Sequence, residues 1–461
     1  MNELPITVQL AQRDTERLKS YKDLLDFYHG AQWEGRAVRS EKRLTFNYSK
    51  VFIDKITSYL MAGASFAVDP LADTAEARAK AQRAETVLKQ VYQDNNLEQL
   101  DLETEIDAAI LGDACYKVTW DTIAKRVRVT APDIQGIYAW WSGDDISRVW
   151  RVASKYNLSA EEAGFLYQIQ PRAKTAAVVE VWTDSDFELY IDDALIEKKA
   201  NPYGFIPFVI YPNLREPKKF WGISDLTQIM EIQREMNRAM SQLSRILELS
   251  GNPIAVLENI EESEDIAVRP GAVWNIPEDA KAYLLDLLQG GGVNLHVDYI
   301  NLLYRILHDI SESPRAAFGG TERDLSGVAL EIELQPLLQK VSRKRLIRTA
   351  AYNRRNRIIL RLLEMYQNES FGDYNLRVVW APVLPKDIAR QVANEQVLVQ
   401  SGIHSRRRAM DELGIGNPEL EFRKWLEERE NILKMNRELN TRSTKTPVRE
   451  RVIESQENGE E

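Results

Sequence analysis

One cysteine, Cys115, in 461 residues excludes an intrachain disulfide, which fits folding in a reducing compartment. Histidine is almost as scarce. His29, His296, His308 and His404 show no zinc spacing, and a lone thiolate forms no cluster, so neither a metal nor a cofactor is expected. No apolar run of about 18 residues occurs, so no membrane-spanning helix is predicted. The opening Met1-Asn2-Glu3-Leu4-Pro5 lacks a basic stretch followed by an apolar one, so no secretory signal is expected. Basic residues are in the minority, 60 against 70 acids, for a net charge of −10. A sequence-specific nucleic-acid binder carries a basic surface, so tight wrapping of DNA is disfavoured. There is no phosphate-binding Gly-x-x-x-x-Gly-Lys-Ser/Thr loop and no Gly-x-Ser-x-Gly elbow. Gly290-Gly291-Gly292 does not fit the strand–turn–helix logic of a dinucleotide loop, and reads as a linker. The expectation is a protein without catalytic activity of its own.

What is present is a helix-rich α+β chain, mainly α, too long for a single core and so divided into two to four folding units. Leu10, Leu18, Tyr21, Leu24, Leu25 and Tyr28 recur at helical spacing and predict one helix up to Gly30. Further helices are predicted over Tyr48–Met61, Thr74–Gln93 and Leu97–Leu111, the last stopped by Gly112. Strand patterns follow at 114–120, at Val127 and Val129, and at 178–182 and 187–191 around an Asp184-Ser185 turn. Trp140, Trp141, Trp150 and Trp182 lie in this region and read as core and edge packing. Ser224 or Asp225 is predicted to cap a helix running to Ser250.

Residues 251–294 read as a small β unit, with strand candidates at 254–257, 266–268, 273–276 and 282–285 between prolines and glycines. A helix follows over 295–310, then a loop over 311–325 holding Pro314, Gly319 and Gly320. A long helix from Ser326-Gly327 to Gln367 is expected to kink or break at Pro336, which removes a backbone donor. A strand is predicted at 374–380. Helices are then predicted over 386–400, after Ser405, and from Asn417-Pro418-Glu419 to about Leu439. Residues 441–461 are polar, highly charged and expected to be disordered.

Three charge features are candidates for chemistry. Between Leu337 and Arg361 stand nine basic residues and no acid, Lys340, Arg343, Lys344, Arg345, Arg348, Arg354, Arg355, Arg357 and Arg361. The favoured reading is ion pairing with acids of a neighbouring subunit or domain, with phosphate contact by Lys340, Arg343, Lys344 and Arg348 as the alternative. The acids Glu261, Glu262, Glu264 and Asp265 crowd one loop and read as a partner-facing surface. Asp101, Glu103, Glu105 and Asp107 follow at two-residue steps on a helix. That spacing spreads them around it, which disfavours a metal-dependent nuclease site.

Several segments together resemble one family. Tyr28-His29-Gly30 and the run from Asn47-Tyr48-Ser49-Lys50-Val51-Phe52-Ile53-Asp54-Lys55-Ile56 to Tyr59-Leu60 look like the N-terminal signature of tailed-bacteriophage portal proteins. Ile206-Pro207-Phe208-Val209, Asn213, Gly222-Ile223-Ser224-Asp225 and Asn237 resemble the approach to that family's first stem helix. Ser326-Gly327-Val328-Ala329-Leu330 after Pro314 resembles the start of its long helix. The order and spacing hold over about residues 20–385. The resemblance implies an α/β wing over 1–222 with a returning strand over 368–384. It also implies stem helices at 223–250 and 295–312 and a clip at 251–294.

A tunnel loop at 313–326, a long wing helix at 327–367 and a helical crown at 385–440 would complete the layout. The loop's Arg315, Phe318, Gly319, Gly320, Thr321, Glu322, Arg323 and Asp324 would face DNA. Arg315, Glu322, Arg323 and Asp324 nearly cancel in charge, which suits a surface that must not grip a moving polyanion. The resemblance further implies a homo-oligomeric ring, typically of twelve copies, at one capsid vertex of the virion, made in the host cytoplasm. Partners would be double-stranded DNA in transient contact, a terminase motor, capsid and scaffold proteins, and neck or adaptor proteins. The competing expectation is another structural virion protein, such as a head–tail adaptor.

Overall fold

The computed structural model describes residues 4–37, 42–171, 173–251, 255–258, 281–284, 292–320, 327–384, 388–415 and 418–443. They fall into two units, Met1–Val383 and Leu384–Glu461. In the first unit the N-terminal periodicity gives two helices, α1 (Ile6–Arg13) and α2 (Thr15–Tyr28), where the sequence predicts one. The break at Asp14, with φ −123°, lets the two halves bury in different places. Leu10 enters a small cluster with Tyr138, Ala153, Val179 and Val181, whereas Tyr21, Leu24 and Tyr28 join the main core.

Helix α3 (Tyr48–Leu60) starts where Asn47 accepts the Lys50 N–H, and it buries Phe52, Ile53, Ile56 and Leu60. Strand β1 (Ala64–Pro70) follows, then α4 (Ala75–Asp94), capped by Thr74, and α5 (Leu97–Leu111). Gly112 ends α5 at φ +94°, and a Cβ there would stand 2.9 Å from the Ser224 backbone nitrogen. A Cβ on Gly222 would meet the Gly112 carbonyl oxygen at 2.3 Å. Only glycine lets the 212–225 segment cross the end of α5 so closely.

Strands β2 (Asp113–Asp121) and β3 (Arg126–Thr130) form one sheet, and β4 (Ile137–Ser142) and β5 (Asp145–Ser159) begin another. Helix α6 (Ala160–Tyr167) leads to β6 (Thr175–Thr183), β7 (Asp186–Ile191) and β8 (Ala194–Ala200). These make a five-stranded antiparallel meander in the order β4-β5-β6-β7-β8. Strand β9 (Phe208–Pro212) returns to the first sheet, order β3-β2-β9. The predicted hairpin turn at Asp184-Ser185 is present, with Trp182 opposite Phe187.

Helix α7 (Met230–Gly251) starts six residues later than the capping pattern at Ser224 predicts, because both polar groups of that pattern serve tertiary contacts described below. Strands β10 (Ala255–Glu258) and β11 (Lys281–Leu284) pair antiparallel, and α8 (Gly292–Ile310) packs back along α7. The strand candidates at 266–268 and 273–276 lie outside the described residues, as do Glu261, Glu262, Glu264 and Asp265. The long helix is divided into α9 (Gly327–Glu333) and α10 (Gln335–Gln367), with Pro336 in the first turn of α10 as its missing N–H requires. Strand β12 (Tyr374–Trp380) pairs with β1, Ala64 opposite Trp380.

The second unit holds α11 (Ile388–Gln400), α12 (Arg406–Glu412), capped by Ser405, and α13 (Pro418–Ser443). Residues 441–443, placed in the tail by their polarity, continue α13, and 444–461 lie outside the described residues. The class is α+β, mainly α. Among the described residues no helix is long and apolar enough to cross a membrane.

Candidate functional site

The segment between α8 and α9 is held at its root, over residues 311–318. Helix α8 ends as the Ser311 N–H bonds the Leu307 carbonyl and Glu312 adopts φ +53°. Pro314 then opens a 3₁₀ turn, Arg315–Phe318, closed by Gly319 at φ +85°. His308 is buried, with Nδ1 2.5 Å from the Ser313 carbonyl oxygen. A carbonyl only accepts, so Nδ1 carries the proton and Nε2, buried without a partner, is bare. Its ring lies 5.1 Å from Phe52, 5.3 Å from Phe318 and 4.5 Å from Tyr304. Burial lowers its pKa and the Arg315 guanidinium adds to that, so the imidazole is neutral at pH 7. The Tyr59 hydroxyl donates to the Ala317 carbonyl at 3.3 Å, which ties the turn to α3.

Beneath this loop runs a ladder of buried charge. On α10, Lys340, Lys344, Arg348 and Arg355 stand on one stripe at steps of four, four and seven, and all are buried. Lys340 Nζ lies 3.0 Å from Asp225 Oδ1 and donates to the Ser311 carbonyl at 3.0 Å. Lys344 pairs with Asp225 Oδ2. Arg348 clasps Glu105 with two bonds, 2.8 and 2.6 Å, and also reaches Asn213 Oδ1 at 2.8 Å. Arg355 pairs with Asp101 and donates to the Tyr92 hydroxyl at 2.7 Å. Burial alone would raise the Asp225 carboxyl, but the two lysine ammoniums outweigh it and hold it well below the usual range. Ser224 donates to the Ala109 carbonyl at 3.2 Å and accepts the Leu226 N–H at 3.0 Å, so its hydroxyl is committed to the end of α5.

Lys340 therefore joins two points far apart in sequence. Asp225 precedes α7 and Ser311 follows α8, and one ammonium on α10 holds both. The paired helices leave the core and return to it at the same place.

This geometry corrects the reading of the basic run. Lys340, Lys344 and Arg348 are buried against Asp225 and Glu105 of the same chain, so they face neither DNA nor another subunit. Of the four, Arg343 is exposed, and it makes a two-bond pair with Glu312 at 2.8 and 2.6 Å. Asp101 and Glu105 do converge, four residues apart on one face of α5, but each is saturated by an arginine. Among the described residues no group of three or more His, Cys, Asp or Glu is placed to hold a metal.

In the loop, Phe318 turns inward, 4.9 Å from Phe52, rather than outward as expected. Arg315 lies over the Tyr304 ring at 5.4 Å, and Gly319 is exposed beside Gly320. Thr321, Glu322, Arg323 and Asp324 lie outside the described residues. The missed signal was in the spacing: two one-faced pairs of opposite sign, Asp101 and Glu105 on α5 against Arg355 and Arg348 on α10.

The family described as phage portal protein, SPP1 Gp6-like, matches residues 9–435 of the chain. No curated protein matches it.

Proposed function

Since the chain belongs to the phage portal protein family, a structural family of the bacteriophage virion concerned with genome packaging, we propose that it is the subunit of a ring-shaped channel. The ring holds twelve copies at one capsid vertex, and double-stranded DNA passes through it during packaging and ejection. The observation that carries this reading is the family match over nearly the whole chain, joined to one structural sequence. Helix α7 leads out to a β hairpin, α8 leads back, and a glycine-bearing loop follows before α10. In this reading α7 and α8 are the stem, 251–294 the clip and 313–326 the tunnel loop. The sheets with α10 form the wing and 385–440 the crown. A non-enzymatic ring leaves ATP hydrolysis to a terminase motor. Capsid, scaffold and neck proteins are its other partners.

The exposed apolar residues of the stem fit this assignment. Leu295 is 71% exposed and Leu247 52%, with Val297, Tyr299 and Leu302 beside them. Large apolar side chains left exposed in this way suit an interaction site, and adjacent copies in a ring would cover them. The clip acids Glu261, Glu262, Glu264 and Asp265 would face the motor and neck. The tunnel loop, Arg315 to Asp324, would touch DNA transiently and without sequence preference.

The loop assignment has a direct test in Gly319→Pro/Gly320→Pro. Proline cannot adopt φ +85°, and the two substitutions remove the N–H bonds to the Ala316 and Arg315 carbonyls, each 3.2 Å long. Ring assembly should persist while nuclease-protected DNA in the capsids falls at least tenfold. Normal packaging by this variant would remove the loop from the translocation path.

A further inference from the structure

Two features at opposite ends of strand β5 have matching chemistry and stay uncovered by the described residues of the chain. At one end, directly after Ser159, α6 displays Phe165 at 86% exposure and Leu166 at 57%. This helix is firmly held. Ser159 and Glu162 form a reciprocal cap, with bonds of 3.2 and 2.8 Å, Ala163 is buried, and Tyr167 meets Tyr156 at 3.2 Å between hydroxyls. The exposed pair therefore belongs to a built surface and not to a frayed end. Its helix carries Glu161 and Glu162 and no basic residue.

At the other end, β5 and β9 face the outer side of α10 across an open cavity of about 400 Å³. Ile210, Phe220, Leu346 and Ile347 line it, and Leu346 is 72% exposed. Its charged residues are Arg215 and Arg354, and no acid lines it. One feature is apolar with negative charge beside it. The other is an apolar hollow with positive charge at its rim.

They cannot meet within one copy. From Val149 to Ser159 the strand advances roughly 33 Å at about 3.3 Å per residue, and pairing with β6 over 151–159 keeps it extended. A projection and a hollow on different parts of one surface make a head-to-tail contact, which closes into a ring when the rotation between copies closes.

We propose that α6 of one copy, through Phe165 and Leu166, seats in the groove between β5, β9 and α10 of the next copy, with Glu161 and Glu162 facing Arg215 and Arg354. The inference rests on the ring assembly proposed above and names the surfaces that build it.

Two single variants, Phe165→Glu and Leu346→Glu, test it by light scattering on a sizing column. Both sites are exposed, so circular dichroism and the unfolding midpoint should match the wild type. Each variant alone should lose the ring at concentrations where the wild type is assembled. Their equimolar mixture should give a species of twice 53.0 kDa, because the Leu346→Glu chain retains its α6 and the Phe165→Glu chain retains its groove. Rings from either variant alone, or a mixture that stays monomeric, would overturn the contact and leave the portal assignment standing. A wild-type chain that forms a compact dimer or tetramer without a channel would overturn both.

Discussion

Replacing Arg348 with methionine strips Glu105 of its ion-pair partner in a site with no exposed surface. Removing one partner of a buried ion pair costs about 3–5 kcal/mol, chiefly because the remaining charge is left in a poorly polarisable interior. Glu105→Leu, which instead strands the guanidinium, should cost a similar amount. The double variant should be far less damaged than the sum. An apolar pair of similar size is often neutral or better, and what remains is the Asn213 carbonyl and side chain that Arg348 also bonded, worth about 1–3 kcal/mol. Urea unfolding followed by tryptophan fluorescence, at one protein concentration for all four chains, reads these differences. A buried pair is also weakly screened, so the coupling should persist at 1 M salt, unlike that of the exposed Arg343–Glu312 pair. Additive single effects, or a coupling abolished by salt, would refute the assignment of this run to the core.

Lys340→Met should loosen the junction where α7 leaves and α8 returns, because it removes both the Asp225 contact and the Ser311 bond. Hydrogen exchange should rise at residues 311–318 by at least tenfold while β4–β8 stay as protected as before. Unchanged exchange in the loop would contradict the role given to this lysine. Asp113 gives a pH dependence of defined sign. Burial outweighs the bonds from Tyr21 and Gly222 and the nearby arginines, and raises its carboxyl to about 6. The native state then holds a proton that the unfolded chain has released. Between pH 4 and 7 this group's contribution therefore falls by about 3 kcal/mol as pH rises. Asp113→Asn should remove that fall, and parallel pH profiles for the two chains would contradict it.

Much of the fold was written in local signals. Asn47, Thr74 and Ser405 cap the helices their sequences predict, Gly112 stops α5, and 374–380 is a strand to the residue. The failures share one cause. Ser224 and Asp225 have the composition of a helix cap, yet their side chains hold the end of α5 and the lysines of α10. The span 337–361 holds no acid of its own, and the partners of its buried Lys340, Lys344, Arg348 and Arg355 lie more than a hundred residues away, at 225, 105 and 101. Strand β8, with exposed faces and three charged residues, carries too little alternation to announce itself. What sequence reading missed is what tertiary pairing decides, although Asp101 and Glu105 share one face of α5 and Arg348 and Arg355 one face of α10, a match of opposite sign that the spacing carries.

The most direct measurement is the mass of the purified chain by light scattering on a sizing column, with negative-stain images of the same fraction. A ring of twelve times 53.0 kDa with a central hole is the predicted result. A compact dimer or tetramer without a channel would contradict it.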